Sequence, residues 1–392
     1  MSFFIERAHS EPSARRFNLL PSVRVMQPFT RTTLAATFRS RLAVVASVLL
    51  TGCLATTGTA GASPAYTPRF AEPTTLTADG THVWVLNGVG RTVTELDAAT
   101  GATVRVIGGQ QYHLVQPTAI VAGGGHVFVT DAATPRYRYG SKGAVTEIDA
   151  STGKLVRVLQ GAPYNFLTPS VALSNGVRVW IANHIEGTVD VLGARSGKLI
   201  SIIGGPKQVS LDEPSGLAID ASHIWITGIV EDARGEPAVL NELTKYGSKP
   251  LRRIPGSNRT FTSAQQVVSD GTHVWFSGGP QRNKWNLTEV SATTGNVIGH
   301  STTPLANASV DGLVLNQHHV WVLYVSGASS QLQELNSPTG AIMRTKSGAV
   351  YGFDEPDGLA SDGRHLWVSN YQANDVIEID AQTGNLVRTV RN

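Results

Sequence analysis

The sequence predicts an all-β protein, a seven-bladed β-propeller whose blades each contain four antiparallel strands, and three observations lead to this fold. A three-residue pattern returns seven times: His (Arg in the third repeat), an aliphatic residue and an aromatic residue, with the aromatic positions 44 to 52 residues apart. Such a period with strand-like content is typical of radial repeat architectures. The terminal repeats resemble the middle ones, whereas a linear array needs polar capping repeats. The seven occurrences are His82-Val83-Trp84, His126-Val127-Phe128, Arg178-Val179-Trp180, His223-Ile224-Trp225, His273-Val274-Trp275, His319-Val320-Trp321 and His365-Leu366-Trp367.

Each repeat contains four short runs rich in Val, Ile and Leu, as the fourth repeat illustrates. Its runs are Gly216–Ile219, Ile224–Thr227, Val239–Leu243 and Leu251–Ile254. Short strands with turns every 8–12 residues are typical of all-β barrels, sandwiches and propellers. Asx-Gly pairs join the first two strands, because Gly supplies the positive φ that tight hairpins need. Asp-x-x-Thr-Gly sequences join the last two, where Asp can cap its own turn.

The first repeat begins with its first strand (74–78) and the last repeat ends with its fourth (387–390), so we expect no blade to be shared between the two ends of the ring. The predicted organisation is a leader over 1–52, a flexible tether over 53–72 and a propeller over 73–392. Its blades are predicted at about 73–109, 110–161, 162–205, 206–256, 257–303, 304–348 and 349–392.

The leader has the pattern of a bacterial lipoprotein signal. Arg39 and Arg41 precede an apolar run, which ends in Leu50-Thr51-Gly52-Cys53. That run is too short for a transmembrane helix. Cys53 is the only cysteine, and its position after two small residues predicts lipidation and a location in the cell envelope, outside the cytoplasm. The alternative is an ordinary signal peptide cleaved near 60–65, which gives a secreted protein. The true start is Met1 or Met26.

The charge distribution argues against nucleic acid as a partner. The chain carries a net charge of +3, but the first 52 residues hold seven Arg and only two Glu. The remainder therefore has a net charge of −2, whereas a domain that neutralises phosphates usually carries a surplus of Lys and Arg. With one cysteine, no disulfide can form within the chain, and stability must come from packing.

The repeat resembles the NHL and YVTN-type propellers of bacterial extracytoplasmic proteins. The resemblance rests on Pro-x-Gly-Leu-Ala-x-Asp at 214–220 and 356–362, together with the Asp-x-x-Thr-Gly turns, and it covers about residues 73–392. It implies a binding or scaffolding module. The wider group includes streptogramin lyases, which use a His and a divalent cation. Their second strand has a Trp-Phe-Thr-Glu-like sequence, whereas Trp275-Phe276-Ser277 here is not followed by an acidic residue.

The repeated His and Trp residues are interpreted as scaffold. The six repeated His are distributed one per blade, too widely to share one metal ion, and we expect each to lie beside the first hairpin turn. The Trp side chains are expected between blades, where their large area fixes the packing. The chain has no Gly-x-Ser-x-Gly elbow and no His-Glu-x-x-His motif. The sequence therefore predicts neither a cofactor nor a bound metal.

The two faces of the predicted ring differ, and this contrast suggests where binding occurs. Turns within the hairpins are short and uniform, whereas the opposite face carries irregular connections rich in aromatic and charged residues, which are typical of binding sites. Neutral drift of surface loops is the alternative explanation. The candidate binding residues are Tyr112, His113, Arg136, Tyr137, Arg138, Tyr139, Tyr164, His184, Glu186, Arg234, Arg282, Trp285 and Tyr371.

The leading hypothesis is a non-catalytic, lipid-anchored monomer that binds an envelope protein or a small ligand on the irregular face. The alternative is a metal-dependent lyase or hydrolase with its site at the mouth of the central channel. Its candidate residues are His113, His184, His300, Glu186, Asp212 and Asp354. A third hypothesis is an assembly scaffold in which the edge of a blade pairs with another protein.

Overall fold

The computed structural model has seven four-stranded antiparallel sheets, which confirms the predicted seven-bladed propeller. It describes residues 68–392, apart from 133–141, 165, 206–210, 212, 230–237, 247–249, 258, 280–285, 303–304, 306–307 and 328. No helix in the part of the chain that the structure describes is long and apolar enough to cross a membrane. The one helical element among the described residues is a single 3-10 turn at Gln110–Tyr112.

The strands follow one another in chain order within every blade. Blade 1 contains β1 (Pro73–Ala78), β2 (His82–Asn87), β3 (Thr92–Asp97) and β4 (Thr103–Gly108), and blade 2 contains β5 (Pro117–Gly123), β6 (His126–Asp131), β7 (Ala144–Asp149) and β8 (Leu155–Leu159). Blade 3 contains β9 (Pro169–Ser174), β10 (Arg178–Asn183), β11 (Thr188–Gly193) and β12 (Leu199–Gly204), and blade 4 contains β13 (Pro214–Ile219), β14 (His223–Ile229), β15 (Ala238–Thr244) and β16 (Pro250–Pro255). Blade 5 contains β17 (Val267–Ser269), β18 (His273–Ser277), β19 (Asn286–Ser291) and β20 (Val297–Thr302), and blade 6 contains β21 (Ser309–Asn316), β22 (His319–Val325), β23 (Gln331–Asn336) and β24 (Ile342–Lys346). Blade 7 contains β25 (Pro356–Ser361), β26 (His365–Asn370), β27 (Asp375–Asp380) and β28 (Leu386–Arg391).

The first strand of each blade lies innermost and the fourth forms the outer edge. First strands of neighbouring blades contact one another around the ring, and β25 contacts β1 to close it. Because neighbouring strands are antiparallel, the turns within the first and last hairpins of each blade share one face, the turn face. Second-to-third-strand loops and the connections between blades share the opposite face, the loop face.

Hydrogen bonds from the chain to turn carboxylates shape the turn face, and the cap in the last hairpin is the one that the sequence predicts. In the first hairpin of blade 4, the Asp220 carboxylate accepts the backbone N–H of Ser222 at 2.8 Å and of His223 at 2.7 Å. In blade 2, Asp149 accepts the Thr152 N–H at 2.8 Å, and Gly153 ends the turn with a φ of 68°. Hydrogen bonds from Ser151 and Thr152 lower the pKa of Asp149 to about 2, so the turn is capped by an ionised carboxylate over the neutral pH range.

The core of the protein consists of seven apolar clusters, one between each pair of neighbouring blades. Every cluster contains the repeated aromatic side chain of one blade, packed on residues of the blade that follows. Trp225, for example, packs with Phe261, Val274 and Phe276, and it is fully buried. The equivalent clusters contain Trp84, Phe128, Trp180, Trp275, Trp321 and Trp367. The aromatic residues are therefore scaffold, as predicted.

The junction between blades 7 and 1 closes the ring with the same kind of packing. Trp367 contacts the cluster that holds Phe70 and Leu76. The Asn392 side chain accepts the Phe70 N–H and donates to the Phe70 carbonyl, both at 2.8 Å. Blades 1 and 7 each keep their own four strands, so the ring closes without an exchanged strand, in agreement with the expectation.

The repeated His residues have a more specific role than the sequence suggested, because each lies beside a buried Glu. In blade 2, Glu147 is opposite Phe128 on the third strand, and its carboxylate lies 2.7 Å from His126 Nδ1 and 3.0 Å from Arg157 Nε. Equivalent glutamates are Glu95, Glu242, Glu289, Glu334 and Glu378, all nearly or fully buried. In five blades an Arg follows the Glu by ten residues, a spacing that is visible in the sequence. The interpretation of each His as a residue beside the first hairpin turn did not include this Glu–Arg pair.

The same Arg side chains also connect each blade to the next. Arg157 donates to the Ser196 carbonyl at 2.9 Å, in the last hairpin turn of blade 3. Arg105, Arg252, Arg344 and Arg388 reach the equivalent turns at 2.8 to 3.1 Å. One guanidinium therefore neutralises a buried carboxylate and binds a neighbouring turn.

Substitution of Trp225 should test the importance of the interblade packing. We expect Trp225→Ala to lower the free energy of unfolding by about 3–5 kcal/mol through the cavity it leaves. Trp225→Phe is the matched control, since Phe128 fills the equivalent place in blade 2, and it should cost less than half as much. Urea unfolding followed by circular dichroism measures both. A loss below about 1 kcal/mol for the Ala variant would contradict this role.

Candidate binding face

Loop lengths distinguish the two faces of the ring. On the turn face, two or three residues join the first two strands, and five residues join the last two in every blade. On the loop face, the loop between the second and third strands has four residues in blades 1, 3 and 7 but twelve in blade 2 and eight in blades 4 and 5. The turn face is thus uniform and the loop face differs from blade to blade.

Seven of the predicted binding residues belong to the longer loops and lie outside the described residues. They are Arg136, Tyr137, Arg138, Tyr139, Arg234, Arg282 and Trp285. The lipidation candidate Cys53 and the acidic residue Asp212 lie outside the described residues as well.

Tyr112 and Tyr164 enter the space between blades rather than presenting their hydroxyls on the loop face. Tyr112 donates to the Gly153 carbonyl at 2.8 Å, and Tyr164 donates to the Gly197 carbonyl at 2.9 Å. Each acceptor is the turn glycine of the following blade. Tyr351 makes the equivalent bond to Gly384, also at 2.8 Å. These hydroxyls are therefore used in blade packing, a role the sequence analysis did not assign to them.

The inner rim of the loop face, where each connection enters its first strand, has an unusual backbone. Glu72, Thr168, Glu213 and Glu355 each precede the first proline of a blade, with φ between 45° and 53°. Positive φ is uncommon for residues other than Gly, and a following proline restricts the backbone further. The repeat therefore holds a strained residue at the rim in four blades, and three of the four are glutamates.

Two of the predicted residues, His184 and Tyr371, reach these rim glutamates from equivalent positions. Each is the first residue after the second strand of its blade. His184 Nε2 lies 3.7 Å from the Glu213 carboxylate, and the Tyr371 hydroxyl donates to the Glu72 carboxylate. In both cases the glutamate belongs to the following blade. The structure thus brings a His–Glu pair and a Tyr–Glu pair to the same rim.

Polar side chains at the end of the second strand hold the connections in place beneath this rim. The Asn370 amide accepts the Asp354 N–H at 2.7 Å and donates to the Gly352 carbonyl at 2.8 Å. In blade 2, the Asp131 carboxylate accepts the Val115 N–H at 2.6 Å. Asn or Asp three residues after the repeated aromatic was visible in the sequence of four blades, but its role was not recognised.

His113 and Glu186 are the remaining described candidates, and both are half-buried. His113 ends the single 3-10 turn with a φ of 56°, and its Nδ1 atom is inaccessible to solvent. Glu186 lies in the four-residue turn that follows β10, two residues after His184.

The described residues of the metal-dependent alternative, His113, His184, His300, Glu186 and Asp354, lie in different parts of the fold. His184 lies at the rim and His113 in a connection between blades, whereas His300 lies on the outer strand β20, 3.1 Å from the Thr288 hydroxyl. Burial lowers the pKa of His300. Asp354 is exposed. Among the described residues, no group of three or more His, Cys, Asp or Glu could hold a metal ion.

Comparison with known proteins identifies the fold but not a family. No family model matches the chain, and no curated protein sequence matches it. Among solved structures, hydrazine synthase from Kuenenia stuttgartiensis is similar, with a TM-score of 0.61 and 14% identity over 79% of this chain and 96% of that chain. The Cps50 (Swd1) β-propeller domain of Myceliophteria thermophila has a TM-score of 0.54 and 12% identity, over 81% and 96% respectively. At these identities the similarity shows the fold alone.

Removing one tyrosine hydroxyl should distinguish packing from ligand binding. Tyr164→Phe should lower the free energy of unfolding by about 0.5–1.5 kcal/mol, because the Gly197 carbonyl loses its donor. Tyr246→Phe is the control, since Tyr246 is 64% exposed and should change stability by less than about 0.5 kcal/mol. Chemical denaturation measures both variants. Equal stability of Tyr164→Phe and the unaltered protein would exclude the packing role.

Proposed function

We propose that this protein is a non-catalytic, lipid-anchored propeller of the cell envelope that binds a partner protein on its loop face. The β-propeller fold supports a binding or scaffold role in general. The observation that carries the proposal is the difference between the faces. One face has hairpin turns of nearly constant length, and the other has loops of four to twelve residues.

The chemistry of the longer loops favours a protein as the partner. The sequence 136–139 alternates Arg and Tyr, and Trp285 follows Lys284 in another blade. Tyr, Trp and Arg are the residues that contribute most to binding energy at protein interfaces. The His184–Glu213 and Tyr371–Glu72 pairs add hydrogen-bonding groups at the rim. We assign no catalytic role to these pairs, since no group of three or more His, Cys, Asp or Glu among the described residues could hold a metal ion.

A loop-face variant should lose the partner while keeping its fold. We expect replacement of Arg136, Tyr137, Arg138 and Tyr139 by Ala or Ser, together with Trp285→Ala, to abolish capture of the partner from envelope extract. The loss of several central aromatic and Arg contacts typically weakens an interface by far more than tenfold. The melting temperature should stay within about 2 °C of that of the unaltered protein, because these are loop positions.

The control changes exposed basic residues on the opposite face. Lys154, Arg195 and Lys198 are exposed in hairpin turns of the turn face. Their triple replacement by Ala should leave capture unchanged. If the loop-face variant and this control both still capture the partner, the interface lies elsewhere. If only the control loses the partner, the interface lies on the turn face.

The proposed membrane attachment depends on Cys53 and has its own test. Lipidation requires the thiol, so Cys53→Ala should move the protein from the membrane fraction to the soluble envelope fraction or the medium. Two acyl signals give stable anchoring, whereas none leaves only weak surface adsorption. Mass spectrometry of the mature N-terminus provides the direct measurement. A mature chain that begins beyond Cys53 without lipid would support simple secretion instead.

A further inference from the structure

Blade 5 departs from the charge pattern of its neighbours at a single position. Five of the six buried glutamates are followed ten residues later by Arg, but Glu289 is followed by Gly299. The strand register is conserved, since Gly299 pairs with Glu289 as Arg252 pairs with Glu242. Blade 5 therefore keeps the carboxylate and lacks the guanidinium that neutralises it elsewhere.

The other blades show where that guanidinium lies. In blade 4, Arg252 Nε lies 3.1 Å from the Glu242 carboxylate, and another of its N–H groups donates to the Thr293 carbonyl of the next blade at 3.0 Å. The Arg also lies against the turn glycine of that blade, here Gly295. The five Arg side chains are 29–42% exposed, so the position is open to solvent along one side.

In blade 5 the same place is lined by Glu289, Gly299, Trp275 and Gly340, which together we name the blade 5 slot. A Cβ atom on Gly299 would lie 2.8 Å from the Glu289 carboxylate, and its three nearest neighbours would all be Glu289 atoms. The turn glycine of the next blade, Gly340, faces the Trp275 ring and Glu289 rather than an Arg side chain. The indole N–H of Trp275 is buried without a hydrogen-bond partner among the described residues.

The Glu289 carboxylate is correspondingly under-neutralised and more accessible than its equivalents. Its side chain is 8% exposed, compared with 0–4% for the other five. Within the described chain its ion-pair partner is His273, at 3.9 Å. Burial raises the pKa of Glu289, as it also raises those of the Arg-paired Glu95 and Glu378.

Blade 3 shows that loss of the Arg does not by itself leave a buried charge. There Val191 replaces the Glu and Ser201 replaces the Arg, so both members of the pair are apolar or neutral. Keeping a buried carboxylate without its cation is costly, because desolvation disfavours an unpaired charge. Blade 5 retains that cost, and a cation supplied from outside would remove it.

We propose that the blade 5 slot binds a guanidinium group from outside the fold, in the place that Arg occupies in five other blades. A planar guanidinium can pair with Glu289 through two N–H groups and lie beside the Trp275 ring, as such groups do with carboxylates and aromatic rings. The slot borders the turn face, because the neighbouring Gly340 belongs to a hairpin turn there. It is therefore a second site, independent of the loop face and of the proposed function.

The test uses n-propylguanidinium, which reproduces the end of an Arg side chain, and measures the melting temperature of the folded chain. For a weak single-group ligand at about ten times its Kd, we expect a saturable rise of about 1–3 °C. Propylammonium at equal ionic strength should bind about fivefold to tenfold more weakly, because it cannot form the paired hydrogen bonds.

Three variants locate the effect. Gly299→Arg should place the missing guanidinium in the slot, raise the melting temperature without ligand and abolish the response. Glu289→Gln should also lose the response, and it keeps the proposal testable if Gly299→Arg does not fold. Arg252→Gly should create an equivalent slot in blade 4 and enlarge the response. No saturable rise in the unaltered protein, or the same rise in all variants, would overturn the proposal.

Comparison with a capped Gly-Arg-Gly peptide distinguishes the source of the group. Binding of the peptide at least as tight as that of n-propylguanidinium would indicate an Arg side chain of a partner segment. Binding of n-propylguanidinium alone would indicate a small guanidino compound. Both outcomes require the response to depend on Glu289.

Discussion

The packing of one blade against the next is the interaction on which the rest of this structure depends. A sheet of four short strands has apolar side chains on both sides and cannot bury them alone. Here each blade contributes its large aromatic residue to one neighbour and receives that of the other. Ring closure gives the first and last blades the same environment as the rest, through Trp367, Phe70 and Asn392. The propeller therefore needs no capping repeat and no disulfide.

The buried Glu and its Arg form a second, polar layer on this apolar core. The Arg binds the Glu of its own blade and a turn carbonyl of the next, so it reinforces the same interface that the aromatic residue fills. Blades 3 and 5 show that the apolar packing persists without the complete pair, since Trp180 and Trp275 remain buried. In blade 3, Arg178 instead lies over the exposed Tyr246 ring, 4.5 Å from its centre. The polar layer can thus vary while a buried aromatic residue is kept in every blade.

The two faces of the ring differ because their connections are fixed in different ways. The hairpin turns on the turn face are fixed by strand geometry and by side-chain caps such as Asp220 and Asp149. On the loop face, residues such as Asn370 and Asp131 hold the connections at their base, so the loops above can change in length without disturbing the blades. A rigid ring that carries variable loops on one face is a suitable scaffold for binding.

The sequence by itself determined the number of blades, the strands in each, the hairpin turns and the scaffold role of the aromatic residues, because these depend on local propensity and on a pattern repeated seven times. It also pointed to His184 and Tyr371, although without their glutamate partners. Only the tertiary structure assigned the Tyr112 and Tyr164 hydroxyls to blade packing and separated His300 from His184. Only the structure showed that Glu289, unlike the equivalent glutamates of five other blades, has no Arg side chain beside it among the described residues. The physical reason is that these relationships join residues of different strands or blades, whose proximity depends on how the strands pair and the ring closes rather than on any local property of the chain.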